Sequence, residues 1–390
     1  MKRAKWSKEK LRRIVRFAMP VLIALAIPIL LARCTPQWLP DSNRIVYLSG
    51  VGKLMAYNIE TEESRQITAL PTPVAGFAVL PKGERVAVAS FDKQERSSLT
   101  FRLFDLEGRE LHVSKPYDLK GKDGGPGEMM MLMLTTSASP DGRHLVAFLP
   151  GDGGAVTYDT QTKEFQQYPK IMSFAFVAGA LAMTGEGESG KLPLGIDISS
   201  ATPDGQGFVA VQAEGEDANF LFCPWGKPEP IVLKLSDADR KTMKEVAGND
   251  PEKRKFGVAT IPRWSKNRLV MHVQDRTLEL DIDERTCRFE KDMRSDVLFQ
   301  HAEKEKSMVL AETDAGAIVQ IKDGALQLLR RGAARLALQD QKKSGVLAIS
   351  ISPDRKKLLT RSMADQKSLL RVFDENGRNL AELEHASLIP

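Results

Sequence analysis

Beyond residue 36 the chain is a succession of short apolar runs separated by polar turns. Leu145-Val146-Ala147-Phe148, Phe208-Val209-Ala210-Val211, Val86-Ala87-Val88 and Ile45-Val46-Tyr47 read as buried strands. From Leu99 onward, Leu99, Phe101 and Leu103 alternate with polar residues and share one face of a strand, which turns over Asp105 to Glu110 into another.

A fixed phrase precedes these runs: a small or apolar residue, Pro, Asp, Gly, then two residues. It is clearest as Ser139-Pro140-Asp141-Gly142 and Thr202-Pro203-Asp204-Gly205. It returns as Ser352-Pro353-Asp354-Arg355, Leu80-Pro81-Lys82-Gly83 and Leu39-Pro40-Asp41-Ser42. Two decayed copies are Trp264-Ser265-Lys266-Asn267 and Ala302-Glu303-Lys304-Glu305. Proline presets φ for a turn, Asp bonds back to the backbone, and Gly accepts positive φ, so the phrase is a tight turn between strands.

A second phrase, an apolar or aromatic residue followed by Asp or a substitute, trails each copy. Its members are Tyr57-Asn58, Phe104-Asp105, Tyr158-Asp159, Phe222-Cys223, Leu280-Asp281, Ile321-Lys322 and Phe373-Asp374. Seven paired phrases predict seven units of about four strands. The units lie near residues 36–69, 70–115, 129–169, 171–235, 256–293, 295–332 and 344–386. A radial ring of four-stranded sheets buries both faces of each sheet, whereas a single unit buries neither. The expected fold is therefore an all-β, seven-bladed propeller of four-stranded blades. Its first strand, around residues 35–39, is weak, and the C-terminus is an alternative source for it.

The Pro-Asp-Gly phrase with its aromatic-Asp partner resembles the WD40-like repeat of TolB-type β-propellers over residues 36–386. The Gly-His and Trp-Asp signature of WD40 blades is missing. The resemblance implies an extracytoplasmic protein-interaction platform; some propellers of this type instead form half of a serine peptidase. TolB's additional α/β domain has no counterpart between the leader and the first unit.

Charge modifies this picture mainly at the N-terminus. The chain has 390 residues, with 56 Lys/Arg and 51 Asp/Glu. Nine of the basic residues and only Glu9 fall in residues 1–33, so the remaining 47 Lys/Arg and 50 Asp/Glu leave a net −3. An acidic body argues against a nucleic-acid surface. Eight basic residues up to Arg16, followed by an apolar run over 17–32, read as a signal peptide or signal anchor at 1–34. The body is then expected in the periplasm or at the cell surface, anchored or secreted. Leu31-Ala32-Arg33-Cys34 resembles a lipoprotein box with Cys34 as the lipid acceptor, although Arg33 stands where the box has a small residue.

Candidate chemistry is sparse. Gly185-Glu186-Gly187-Glu188-Ser189-Gly190-Lys191-Leu192 approaches a P-loop but lacks the terminal Ser or Thr, and its glutamates repel phosphate. Met129, Met130, Met131 and Met133 read as a buried strand more readily than as a soft-metal site. His112, His144, His272, His301 and His385 show no ligand spacing. No Gly-x-Ser-x-Gly elbow is present. Recurrent Asp105, Asp159 and Asp374 read as turn caps. Cys223 and Cys287, in adjacent units, are either a disulfide or two buried thiols. The long loops at 115–128, 185–195 and 236–255 are places for binding or tolerated insertions, and Ser236 and Asp237 can cap a short helix through Val246.

These readings favour a non-catalytic envelope platform whose partner is an envelope or secreted protein, or a peptide entering the channel. No cofactor, metal or catalytic residue is expected. The competing class is a channel-mouth enzyme of the lactonase, glycan-active or quinoprotein type, marked by clustered His and carboxylate groups at one mouth.

Overall fold

A computed structural model describes residues 36–49, 53–69, 74–80, 84–91, 98–119, 135–149, 154–173, 195–196, 200–214, 217–247, 257–313, 316–322, 325–329, 336–340, 345–364 and 367–385. The leader with Cys34, the methionines of 129–133 and the P-loop-like stretch at 185–192 lie outside the described residues. Among the described residues no helix is long and apolar enough to cross a membrane.

Seven sheets succeed one another along the chain. The first holds β1 (Gln37–Trp38), β2 (Arg44–Leu48), β3 (Lys53–Asn58) and β4 (Glu63–Ala69). The second holds β5 (Val74–Val79), β6 (Arg85–Phe91), β7 (Ser98–Asp105) and β8 (Glu110–Val113), with β9 (Tyr117–Asp118) returning to β7. The third holds β10 (Thr135–Ala138), β11 (His144–Phe148), β12 (Ala155–Asp159) and β13 (Phe165–Tyr168). The fourth opens with β14 (Met172–Ser173), is left by β15 (Gly195–Ile196), and continues with β16 (Gly207–Glu214), β17 (Asp217–Pro224) and β18 (Ile231–Val232).

The expected helix, α1 (Asp237–Ala247), follows, with the Ser236 hydroxyl accepting from the Asp239 N–H at 3.1 Å. Then come β19 (Gly257–Val258) and the fifth sheet, β20 (Arg263–Ser265), β21 (Arg268–Val273), β22 (Arg276–Asp281) and β23 (Thr286–Glu290). A second helix, α2 (Met293–Glu305), leads to the sixth sheet, β24 (Met308–Glu312), β25 (Ile318–Lys322), β26 (Ala325–Leu329) and β27 (Leu336–Asp340). The seventh holds β28 (Gly345–Ile351), β29 (Lys357–Ala364), β30 (Lys367–Asp374) and β31 (Asn379–His385).

First strands of neighbouring sheets approach one another, β1 meeting both β5 and β28, and β5 meeting β10. They are the inner strands, while fourth strands such as β4 and β8 are largely exposed. The chain is a seven-bladed β-propeller. Apolar clusters fill the spaces between blades. Phe77, Val86 and Phe104 pack with Val46 and Leu54 between blades one and two, and Phe208 and Leu221 pack with Val146 and Tyr168 between three and four. Between blades five and six, α2 wedges Leu298 and Ala302 against Val258 and Val309.

Ring closure uses no strand exchange. Blade one is wholly N-terminal, with β1 as its inner strand, and blade seven is otherwise C-terminal apart from β15. Trp38, Ile45, Tyr47 and Tyr57 pack against Leu359, Leu370 and Val372 across this seam. The Asp354 N–H donates to the Ser42 hydroxyl at 3.0 Å, and Lys357 Nζ donates to the Ser42 carbonyl at 3.0 Å and Asn43 Oδ1 at 2.8 Å.

The first-phrase turns join first to second strands. Ser42, Gly142, Gly205 and Arg355, the fourth residues of four copies, all have positive φ. The Thr202 hydroxyl donates to Asp204 at 2.6 Å and the Ser139 hydroxyl to Asp141 at 2.6 Å, bracing the turn from inside. One decayed copy is corrected. Ala302-Glu303-Lys304-Glu305 is the end of α2, not a turn, and the run after it, β24, is the inner strand of blade six. The sixth turn is instead closed by the Gly316 N–H on the Thr313 carbonyl at 3.0 Å, with Gly316 at φ +75°. Ile321-Lys322 accordingly ends a second strand, whereas Tyr158-Asp159 and Phe373-Asp374 end third strands.

The inner strand of blade four is interrupted. Met172 and Ser173 pair with Val211 and Ala210, and Ala201 bridges Phe208 on the same strand. Between them in sequence, β15 pairs in parallel with β28, Gly195 opposite Ala348 and Ile196 opposite Ile349. Because β29 occupies the other edge of β28, β15 lies on its channel side. Part of this chain therefore reaches the inner edge of blade seven from a blade that is not its neighbour.

Candidate binding site at the channel mouth

A cavity of about 460 Å³ opens where the inner strands of blades five, six and seven run into their first turns. Such a volume suits a small ligand or a few residues of a peptide. Blade five supplies Arg263, Trp264 and Ser265 from β20 and His272 from β21; blade six supplies Ala311 and Glu312; blade seven supplies Ser350 to Pro353 and Arg355. Arg294, in the first turn of α2, completes the wall. Three guanidinium groups and one carboxylate give the lining a formal charge of 3 − 1 = +2, against a net −3 for the chain beyond the leader.

Local structure fixes these groups. Arg294 Nε donates to Glu312 Oε2 at 2.7 Å, tying helix to strand. Arg355 donates to the Glu312 carbonyl, tying the seventh turn to the sixth blade. Arg355 holds φ +56° at a position where Gly142 and Gly205 serve in other blades. A left-handed conformation costs a side-chain-bearing residue roughly 1–2 kcal/mol, so this Arg is retained at an energetic cost to the turn.

Behind the cavity wall runs a polar chain. Asp292 caps α2, accepting from the Ser295 N–H at 2.7 Å. The Thr277 hydroxyl donates to the Asp292 carboxylate. Since that proton is committed to Asp292, Nδ1–H of His272 donates to Thr277 Oγ1, at 2.9 Å. The Nδ1–H tautomer leaves Nε2 as an acceptor. Burial holds the His272 imidazole below its ordinary pKa; Asp292 opposes this, Arg294 and Arg263 add to it, and Glu312 opposes it. His272 is thus neutral at pH 7. Asp292 is itself held below the usual carboxylate range, because hydrogen bonds from Thr277 and Ser295 outweigh the opposing effect of burial.

Of the residues singled out in the sequence, His272 and the turn residues Trp264, Ser265, Ser352, Pro353 and Arg355 line the cavity, and the others described fall elsewhere. Cys223 and Cys287 are free, buried thiols and not a disulfide. On β17, Phe222 faces blade five while Cys223 faces blade three, because successive strand residues point to opposite faces. Cys287 packs with Phe222, on the side away from Cys223. Burial pushes both thiols well above their usual pKa.

Asp105, Asp159 and Asp374 cap their turns, each accepting backbone N–H bonds. His112 bonds Tyr158 Oη at 2.8 Å, His144 stacks on Trp225 with centroids 5.1 Å apart, and His301 bonds Gln320. Among the described residues no group of three or more His, Cys, Asp or Glu is placed to hold a metal.

Among the described side chains His272 is the histidine that lines the cavity, and the sequence offered no reason to prefer it, or to pick Arg263, Arg294, Glu312 or Arg355, as chemistry. One signal pointed there. The turn phrase is weakest in blades five and six, which build the cavity with blade seven, but it also departs from Pro-Asp-Gly in blades one and two, which do not.

No protein-family model matches the sequence, and no curated protein is similar to it. Solved structures align with it at low identity. TolB from Acinetobacter baumannii matches at 14% identity and a TM-score of 0.38, over 88% of this chain and 63% of that one. The β-propeller domain of Myceliophteria thermophila Cps50 (Swd1) matches at 13% identity and a TM-score of 0.46, covering 91% and 96%. A chain of the Mitotic Checkpoint Complex matches at 11% identity and a TM-score of 0.47, covering 88% and 90%. The seven-bladed fold itself rests on the sheet topology and not on these matches.

Proposed function

We propose that this protein is a non-catalytic, extracytoplasmic β-propeller that serves as a protein-interaction platform at the cell envelope. The basic, then apolar, leader supports the address, with residues 1–34 as a signal peptide, a signal anchor, or a lipoprotein leader with Cys34 as the lipid acceptor. The observation that carries the reading is the cavity at the channel mouth. Three blades and a helix converge there. The test is affinity capture of the tagged full-length chain from detergent-solubilised envelope of its own cell, beside the variant Arg263→Gln/Arg294→Gln/Arg355→Gly. A reproducible protein partner lost in the variant supports the platform. Absence of any partner in both removes it.

The His272–Thr277–Asp292 chain favours a second reading, a channel-mouth hydrolase. An imidazole whose Nδ1 is held by an anchored hydroxyl, with Nε2 as acceptor, is placed as a general base would be. Turnover of an ester or lactone panel, abolished by His272→Gln, would establish it; an inactive wild-type protein would remove it.

A further inference from the structure

We propose that the channel-mouth cavity binds a neutral saccharide, with His272 Nε2 and Glu312 Oε1 accepting from its hydroxyls and the Arg294 guanidinium donating to its oxygens. The inference goes beyond the platform reading and does not rest on it: capture of a protein partner and binding of a sugar are measured separately.

Three groups on the cavity wall have hydrogen-bonding capacity left over, and each is held in place by a second group. His272 is 8% exposed, its Nδ1–H is committed to Thr277, and among the described residues its Nε2 has no partner. A buried acceptor left open is costly until a ligand or water fills it. Glu312 engages Arg294 through Oε2, and among the described residues its Oε1 has no partner. Arg294 uses Nε for that bond, and its two Nη groups have no partner among the described residues either. Arg263 and Arg355 line the same cavity but already have partners, so they serve as wall.

Two open acceptors beside one open donor set the chemistry of the ligand. A carboxylate or phosphate satisfies Arg294 but is repelled by the open oxygen of Glu312. An ammonium satisfies the acceptors but meets the charges of Arg263, Arg294 and Arg355. Hydroxyl groups both donate and accept, so a neutral polyol serves all three. Ile261, Pro262, Val270 and Ile351 complete the lining. An apolar wall beside a few fixed polar groups suits a sugar ring, with its C–H faces and O–H rim, better than an open-chain polyol.

The test is isothermal titration calorimetry on the full-length protein in a detergent without a sugar headgroup. The neutral probes are glucose, galactose and N-acetylglucosamine, with their disaccharides cellobiose, lactose and chitobiose. Glucuronate and glucosamine add charge of either sign, and N-acetylglutamine amide offers donors and acceptors without a ring. His272→Phe removes the acceptor and keeps an aromatic ring. Arg294→Lys keeps the charge beside Glu312 and removes the fork. Because the Arg294 side chain is nearly half exposed, that variant tests the site even where His272→Phe fails to fold. Arg371→Gln, an outer-strand change, is the control.

The expected result is saturable binding of at least one neutral sugar, weakened about 5- to 50-fold by His272→Phe and by Arg294→Lys. Arg371→Gln should bind as wild type. A disaccharide binding more tightly than its monosaccharide supports the site with an envelope glycan as the source. The reverse order supports the site with a free sugar as the source. The inference is overturned if no neutral sugar binds, or if glucuronate, glucosamine or the amide binds more tightly than every neutral sugar. Wild-type affinity in Arg294→Lys, or in a folded His272→Phe, overturns it equally.

Discussion

The seam between blades seven and one should be the place where this ring opens. Every other junction is crossed by the chain as it passes from one blade to the next. At the seam, β1 and β31 belong to opposite ends of the polypeptide and exchange no strand. Side-chain packing and the bonds around Ser42, Asp354 and Lys357 carry the closure.

Leu370, only 2% exposed, packs in the seam, and Leu221, fully buried, packs between blades three and four; both lie on third strands. Leu370→Ala and Leu221→Ala should each cost about 2–5 kcal/mol of global stability, the range for a buried Leu whose cavity cannot fully collapse. Their local effects should differ. At about 1.36 kcal/mol per factor of ten, Leu370→Ala should speed amide exchange in β2, β3, β29 and β30 by about 30-fold or more in native buffer. Leu221→Ala should leave those strands near wild-type rates, because blades three and four remain covalently tethered. Native-state hydrogen exchange read by mass spectrometry measures both. Equal acceleration of blades one and seven by the two variants, or acceleration spread evenly around the ring, would refute the seam as the weak point.

Three further outcomes follow from local geometry. Gly154→Ala should lower the denaturant midpoint by an amount equivalent to at least about 1–3 kcal/mol, because the residue holds φ +74° and a Cβ would sit 1.9 Å from the Tyr168 carbonyl oxygen; an unchanged midpoint contradicts this. Asp41, Asp141, Asp159, Asp292 and Asp354 have pKa values below the 3.8 of a free Asp, because turn and cap hydrogen bonds overcome the opposing effect of burial. Their stabilisation is therefore fully present above about pH 4 and is lost as pH falls through the lowered folded values; a melting temperature that is flat or rises on acidification below pH 4 counts against it. With Cys34→Ser in place, Cys223 and Cys287 should resist a thiol reagent at pH 8 in the native protein and react on unfolding; prompt native labelling would contradict their burial.

The repeat was legible because a tight turn needs particular residues locally. Pro-Asp-Gly and its close variants predict turns that need no tertiary partner, and Ser42, Gly142, Gly205 and Arg355 adopt them. From those turns the sequence alone determined strand number, blade number and the buried runs between. It misplaced the sixth unit because Ala302 to Glu305 falls where the repeat spacing requires a turn, whereas α2 is capped by Asp292 and wedged against Val258 and Val309.

Only the tertiary structure decided how the ring closes, where β15 goes and what forms the site. Thiol pairing was undecidable in one dimension: Cys223 and Cys287 are near in sequence units yet face opposite sides of blade four. The cavity draws on residues from Thr260 to Arg355, contributed by three blades and a helix. Each residue is ordinary within its own segment. Their convergence depends on the radial arrangement of the sheets, which is set by burial between blades and not by any residue's local preference.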